Sequence, residues 1–198
     1  MPEPMVVRPI SLQSAQVHLR VLGRTHAPDL LAAMDPDTFR YMPSGPATPD
    51  HAGVDGYIES MRSRPNHLAF AAIDPATGRA VGSTSYMNIR PEHRGLEIGC
   101  TWISADRHGT GLNTAMKRLM LAHAFEGLDA LRVELRTDAL NARSRRAIEK
   151  LGAEPEGILR RHMVMPDGRI RDTAVYAITD DRWPSIRDAL ARALPGKA

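Results

Sequence analysis

The stretch from residue 96 to residue 136 constrains the fold most, because its hydrophobic period changes twice. Alternation over residues 96–104 predicts a strand, and a glycine turn follows it. Helical spacing then relates Leu112, Ala115, Met116, Leu119 and His123, and Gly127 ends the predicted helix. Alternation resumes from Leu131 to Leu135. We therefore predict a β-α-β unit with parallel strands and a right-handed crossover.

The rest of the chain predicts an α/β fold with a mixed sheet. Alternation predicts strands over residues 16–22, 67–73, 79–89, 157–165 and 169–179. Helices are predicted over residues 28–42, from Thr48 as N-cap with Pro49 at the first position, from Asn141 to Gly152, and over 183–194. Residues 1–15 carry three prolines and predict a flexible, poorly packed arm, so residues 16–198 are expected to form one domain.

Composition narrows the classes of protein to consider. No apolar run reaches the length of a membrane helix, and the first residues lack the pattern of a signal peptide. Cys100 is the only cysteine, and no Cys/His cluster has zinc spacing. We therefore expect a cytoplasmic protein that neither binds a metal nor enters a membrane.

The basic side chains are concentrated in one part of the sequence. The net charge is only +3, but eight basic and four acidic residues between Arg143 and Arg171 give a local balance of +4. Such a cluster is often a solvated face, but it could also contact a phosphorylated ligand, an acidic protein or RNA.

The glycine turn at residues 108–113 (His-Gly-Thr-Gly-Leu-Asn) lies between a predicted strand and a predicted helix. Free amides at a helix N-terminus bind anions, and Gly109 and Gly111 would let a diphosphate approach them closely. Thr114 occupies the place of the third glycine in a dinucleotide-binding fingerprint, and no Walker A lysine is present. The pattern alone therefore fits either a phosphate site or a tight turn.

The turn resembles the pyrophosphate loop of the GNAT superfamily, usually written Gln/Arg-x-x-Gly-x-Gly/Ala. His108 takes the Gln/Arg place, Gly111 the central glycine and Asn113 the final small residue, so the pattern departs at His108 and Asn113. Residues 141–153 are similar to the Asn-x-x-Ser…Leu-Gly-Phe segment of that superfamily. Residues 156–160 (Glu-Gly-Ile-Leu-Arg) and 167–173, with Tyr176, resemble the RimJ/RimL branch, which acetylates protein N-termini. The similarity extends over roughly residues 16–190.

The resemblance implies a GNAT acyl-CoA N-acyltransferase fold, in which the strand before the loop splays from its parallel neighbour. Acetyl-CoA or a related acyl-CoA would be the co-substrate. The residues that would hold it are Trp102, Ile103, Ser104, His108, Gly109, Thr110, Gly111, Leu112, Asn113, Thr114, Asn141 and Ser144. The first three would act through their main chain, and a backbone N–H near residues 100–102 would stabilise the oxyanion.

Three side chains are candidates for the chemistry that the resemblance implies. Glu97, on the strand expected to line the cleft, is the first candidate for the base, although a solvent-facing glutamate would look the same in sequence. His162 is the second candidate base. Ser144 matches the residue that would donate to the departing sulfur, and it could also only support its helix terminus. Tyr176 is a further candidate acid, and Cys100 is expected to be structural.

We therefore expect acetyl transfer to a primary amine, on a protein N-terminus or a small molecule, by direct attack in a ternary complex. A succinyl-CoA or other acyl-CoA transferase of the same fold is an alternative, because the basic cluster could hold a succinyl carboxylate. A non-catalytic acyl-CoA-binding or RNA-binding module is another, although the few aromatic residues disfavour nucleic acid. Analogy with similar proteins favours a homodimer.

Overall fold

The computed structural model describes residues 3–193. The strands are β1 (Leu12–Gln13), β2 (His18–Val21), β3 (Leu68–Ile73), β4 (Ala80–Arg90), β5 (Gly95–Ile103), β6 (Arg132–Asp138), β7 (Glu154–Val164) and β8 (Ile170–Thr179). The helices are α1 (Ala27–Ala33), α2 (His51–Ser63), α3 (Leu112–Ala122), α4 (Ala142–Lys150) and α5 (Trp183–Ala193). A π-helical turn, His123–Gly127, continues α3. The predicted last residue of α5, Leu194, lies outside the described residues.

The eight strands form one mixed sheet in the order β1-β2-β3-β4-β5-β6-β8-β7. Within residues 3–193, β5 and β6 form the one parallel pair, which confirms the predicted β-α-β unit. One face of the sheet packs against α3, α4 and α5, represented in the core by Met116, Ile148 and Trp183. The other face is covered by α1 and α2 through Leu30 and Ile58. The mixed α/β fold class is thus confirmed.

The two parallel strands separate soon after they meet. Their register contains only Gly95↔Arg132, Leu96↔Val133 and Glu97↔Glu134, although β5 continues to Ile103 and β6 to Asp138. On its other side β5 stays paired with β4 as far as Ile103. The sheet therefore opens into a V after Glu97, and the backbone of β5 faces the opening.

Two predicted helix boundaries on the α1–α2 face were wrong. The first helix ends at Ala33 rather than at residue 42, because a residue before proline disfavours helical geometry and Asp35 precedes Pro36. The second helix is capped by Asp50, whose Oδ1 accepts from the Gly53 amide at 2.8 Å. Thr48 instead donates to that carboxylate, which leaves Pro49 outside the helix.

The segment predicted to be a poorly packed arm contacts the rest of the fold at two places, although most of residues 3–15 are exposed. Met5 is 4% exposed, and its amide donates to the Pro91 carbonyl at 3.1 Å. Leu12 and Gln13 pair antiparallel with β2, so they cover what would otherwise be a free edge of the sheet. Among the apolar residues of this segment Met5 is buried, whereas Val6 is 57% exposed.

Within residues 3–193, no helix combines the length and the apolar character needed to cross a membrane.

Candidate active site

The strand β5 changes its path where the V opens. Ser85 pairs with Gly99, but Ser83 pairs with Trp102, so two residues of β5 lie opposite Thr84. Cys100 has a positive φ of 47°, which is the geometry of a β-bulge. A bulge leaves backbone groups out of the ladder, next to the opening between β5 and β6. The predicted grip residues Trp102, Ile103 and Ser104 lie just beyond it.

The glycine turn lies at the same end of β5 and begins α3. Gly109 and Gly111 have φ values of 77° and 88°, which side-chain-bearing residues rarely adopt. Gly111 is the N-cap of α3, and no side chain caps that terminus. The amides of Asn113 and Thr114 have no acceptor among the described residues. The turn thus presents free N–H groups and the positive end of an 11-residue helix.

The N-terminus of α4 is joined to the same turn. Arg143, in the first turn of α4, donates through Nη1 to His108 Nδ1 at 2.9 Å. Asn141 caps α4 by accepting from the Ser144 amide at 3.0 Å, as predicted for its capping role. Two helix N-termini and one guanidinium therefore converge beside the V, an arrangement suited to a polyanion.

Glu97 is the last residue of β5 that pairs with β6, and its side chain is buried. Oε2 accepts from Asn88 Nδ2 at 2.7 Å and lies 3.5 Å from Arg136 Nε. Oε1 makes no hydrogen bond within the described residues. A Cβ on Gly99 would lie 3.1 Å from this oxygen, so the absence of a side chain there leaves Oε1 room beside the bulge.

Burial raises the pKa of Glu97, and the positive charge of Arg136 and the Asn88 hydrogen bond partly oppose it. The neighbouring Glu134 carboxylate behaves differently. Although burial favours its neutral form, hydrogen bonds from Arg90 and Arg136 hold its pKa near about 2. Of the two glutamates that meet at the opening, only Glu97 therefore has the character of a proton acceptor.

The other predicted side chains lie in different surroundings. His162 is exposed on β7, and its Nδ1 is 3.0 Å from Thr173 Oγ1 on β8. The Tyr176 hydroxyl donates to Glu149 and accepts from Arg145, both on α4. Neighbouring residues of a strand point to opposite faces, so the sheet separates Tyr176 from Glu97. The structure thus does not bring Tyr176 to the base, and its prediction as an acid has no support here.

The bulge is also lined by residues of the α1–α2 face. The Tyr57 and Ser83 hydroxyls and the Trp102 indole N–H are buried without a hydrogen-bond partner among the described residues. Ser83 and Trp102 are paired across β4 and β5, and both are near the Tyr57 hydroxyl. Burial raises the pKa of Tyr57 to about 12, and its contacts with Ser83 and Trp102 partly oppose that shift. Phe39 packs against the rings of Tyr57 and Trp102 at 5.5 and 5.6 Å. These side chains form a buried cluster of aromatic rings and polar groups beside Cys100.

Cys100 itself lacks the surroundings of a nucleophile. Burial raises the pKa of its thiol, although Arg64 Nη1 lies 3.9 Å from Sγ. Its other sulfur contact is Met87 Sδ at 3.8 Å. A buried thiol with no base against it behaves as a small apolar residue, which agrees with the expectation from sequence.

Lys117 is a buried charge that sequence reasoning missed. It faces the sheet from α3, where Nζ donates to Thr101 Oγ1 at 2.5 Å and lies 3.4 Å from Thr84 Oγ1. Thr101 in turn donates to the Gly99 carbonyl at 3.2 Å. Lys117 therefore contacts the bulged part of β5 from the side of the sheet that α3 covers, through Thr101. The only sequence signal was a lysine adjacent to the apolar stripe of α3.

We expect Lys117 to make the stability of the fold depend on pH. Burial lowers its pKa from 10.5 to about 7. Below pH 7 the folded and unfolded chains both carry the proton, and between these values only the unfolded chain does. Stability should therefore rise with pH across this window, by up to about 1.4 kcal/mol per pH unit relative to Lys117→Met. Urea unfolding of both proteins at pH 7.5 and 9.5 measures this difference.

The exposed Lys150 offers a control for the same chemical change, since Lys150→Met should follow the wild-type pH dependence. Parallel curves for wild type and Lys117→Met would show that Lys117 enters the folded state with its proton.

Among residues 3–193, no group of three or more His, Cys, Asp or Glu side chains is placed to bind a metal ion.

Comparison with known proteins gives one consistent picture. A family model described as an acetyltransferase (GNAT) domain matches residues 16–154. Ribosomal N-acetyltransferase YdaF of Bacillus subtilis (strain 168) is 31% identical over 106 residues, which are 54% of this chain and 57% of that protein. The chain thus matches little more than half the length of that curated relative.

Two solved structures are similar over most of the chain. A GCN5-related N-acetyltransferase from Brucella melitensis is 29% identical with a TM-score of 0.89, covering 96% of this chain and 88% of that one. RimJ of Mycobacterium smegmatis, solved in complex with CoA-disulfide, is 25% identical with a TM-score of 0.78, covering 93% of this chain and 95% of that one.

Proposed function

The chain belongs to the GNAT acetyltransferase family, in its RimJ/RimL-like branch, and from this premise we propose that it transfers an acetyl group from acetyl-CoA to a primary amine. The observation that carries the proposal is the convergence of the α3 and α4 N-termini beside a strand pair that opens after Glu97. The phosphates of the cofactor would lie at the N-termini of α3 and α4, and the reacting acetyl group would lie near Glu97.

We propose that the glycine turn holds the pyrophosphate through the free amides after Gly111. Arg143 and His108 would supply a donor and a positive charge beside it. Asn141 would contact the cofactor in addition to capping α4. The pantetheine arm would lie along the unpaired edge of β5, where the backbone of residues 102–104 can pair with its amides. The acetyl group would then lie next to the bulge at Cys100.

Acetyl transfer then proceeds in one ternary complex. The amine nitrogen attacks the thioester carbonyl carbon, and Glu97 Oε1 takes the proton that the amine loses. A backbone N–H of residues 100–102 donates to the oxyanion as it forms. The carbon–sulfur bond breaks, and the Ser144 hydroxyl donates to the leaving thiolate. His162, whose Nδ1 lies 3.0 Å from Thr173 Oγ1, is the alternative base.

The acceptor is a protein N-terminal amine in our first hypothesis and a small amine in the second. YdaF and RimJ, named above, favour a ribosomal protein N-terminus. The close packing of Tyr57, Ser83 and Trp102 beside Cys100 favours a compact acceptor group at the point of reaction. The homodimer and the cytoplasmic location stay predictions.

A thiol-release assay with acetyl-, propionyl- and succinyl-CoA against N-terminal peptides and small amines tests the proposal. We expect release that depends on the amine and on its concentration, with the acylated product seen by mass spectrometry. Tight CoA binding without release for any pair would instead identify a non-catalytic acyl-CoA-binding module.

A further inference from the structure

Arg171 on β8 is a buried arginine without a carboxylate partner. Its residue is 6% exposed, yet its guanidinium forms no ion pair within the described residues. Nε donates to Thr173 Oγ1 at 3.0 Å and Nη1 to the Tyr41 carbonyl at 3.2 Å, which leaves Nη2 without an acceptor. A permanently charged group is costly to bury unless an anion compensates it.

The neighbouring arginines on this face of the sheet are all compensated. Arg90 pairs with Glu134 at 2.6 Å, and Arg169 pairs with Asp138 at 2.7 Å. Arg136 lies between Glu134 and Glu97. The carboxylates of Glu97, Glu134 and Asp138 therefore already contact other arginines, and Arg171 is left without an ion pair.

Arg64, at the end of α2, shares this property. It contacts the Ser44 hydroxyl at 3.1 Å and the Cys100 sulfur, and it forms no ion pair among residues 3–193. Its contact Ser44 and the Arg171 contact Tyr41 are three residues apart in one loop, so both guanidiniums lie beneath that loop.

Cys100 locates the two charges relative to the proposed chemistry. Both arginines are close enough to its thiol to interact with it electrostatically, and Arg171 also acts on Glu97. The polar groups of Tyr57, Ser83 and Trp102, which are buried and close to one another, lie on the same side of the bulge. Two guanidiniums that form no ion pair among the described residues therefore lie beside the proposed reacting atoms. Asp138 and Glu97 attract Arg171 from a distance, but they accept hydrogen bonds from Arg169 and Asn88.

We propose that Arg171 and Arg64 form a subsite for a carboxylate that belongs to one of the two reacting molecules. A guanidinium binds a planar carboxylate through two parallel hydrogen bonds, which suits the free edge of Arg171. This inference rests on the proposed acyl transfer. The carboxylate has two sources, the far end of a dicarboxylic acyl group such as succinyl, or the acid group of an amino-acid acceptor.

Calorimetry distinguishes these sources without requiring turnover. In one arm the protein is titrated with succinyl-CoA and with acetyl-CoA. In the other, the CoA-bound protein is titrated with glycine and with glycinamide, which lacks the carboxylate. We expect the carboxylate ligand of one pair to bind about 100-fold more tightly than its neutral partner, as for a well-formed bidentate pair.

Variants connect that preference to the two arginines. Arg171→Gln should abolish it and change the affinity of the neutral ligand by less than about threefold. Arg171→Lys, which retains the charge without the planar fork, should restore part of it. Arg64→Gln, at a less buried position, should reduce it if Arg171→Gln does not fold. The exposed Arg20 on β2 is the charge-matched control, and Arg20→Gln should keep the preference.

Equal affinities in both pairs would overturn the proposal, as would a preference that survives both Arg171→Gln and Arg64→Gln. A preference without thiol release would contradict the proposed function and leave the subsite standing. Thiol release without a preference for the carboxylate ligand would support the proposed function and overturn the carboxylate subsite.

Discussion

Replacing Glu97 by glutamine is expected to lower kcat by roughly 10² to 10⁴, the usual contribution of a positioned general base. Glutamine matches the shape of glutamate and can still accept from Asn88, but it cannot take a proton from the amine. The loss should leave the Kd for acetyl-CoA within about threefold, because the proposed phosphate grip lies at the other end of the opening. Steady-state kinetics with calorimetry on the same samples measures both quantities.

The wild-type pH profile provides a second readout. A base acts only when it is deprotonated, so kcat/KM should rise as pH passes upward through the raised pKa of Glu97. Glu97→Gln should lack this limb of the profile. Glu92→Gln, the same change at an exposed position, should follow the wild-type profile.

If Glu97→Gln retains more than about a third of the wild-type kcat, Glu97 is not the general base, and His162 becomes the candidate for that role. His162→Ala then becomes the decisive variant. Unchanged turnover in the Glu97→Ala, His162→Ala double variant would exclude both residues as the base and leave the family assignment intact.

Gly109→Ala is expected to raise the Kd for acetyl-CoA at least about tenfold, because it places a methyl group where the pyrophosphate should lie. No atom of the protein lies within 4 Å of the added Cβ, so a clash inside the fold cannot cause the loss. The positive φ of 77° adds backbone strain of roughly 1–2 kcal/mol, which would appear in the free energy of unfolding.

Gly78 permits a matched control for this strain. Its φ is 70°, its added Cβ also meets nothing within 4 Å, and it lies in the turn before β4. Gly78→Ala should therefore lose a similar amount of stability and keep the wild-type Kd. If the two variants bind acetyl-CoA equally well, Gly109 is only a turn residue, which was the simpler interpretation of its sequence.

The elements of the proposed cofactor side were largely predictable because they are local in sequence. Strand, glycine turn and helix follow one another directly, and Asn141 carries its own capping signal three residues before Ser144. The parallel pair could be inferred because a helix lies between its strands. Local periodicity and capping chemistry are sufficient for such elements.

The proposed acceptor side could not be predicted from local patterns. Arg64 follows α2, Glu97 lies on β5 and Arg171 lies on β8, and only the tertiary structure brings them near Cys100. Sequence assigned Arg171 to a cluster of surface charge, although it is buried. Lys117 was missed for a related reason, since a lysine on an amphipathic helix is normally assigned to the solvent side. The bulge could not be predicted either, because the residue with the positive φ is Cys100 and not a glycine.

The short parallel register has a mechanical consequence. Three residue pairs connect β5 to β6, whereas seven connect β6 to β8. The sheet therefore has two parts, β1–β5 and β6–β8, that are joined by only these three residue pairs. We expect the sheet to bend most easily between β5 and β6. A molecule that contacts both strands beyond Glu97 would restrict this bending. Binding there should then slow hydrogen exchange at backbone amides of the sheet that do not contact the bound molecule.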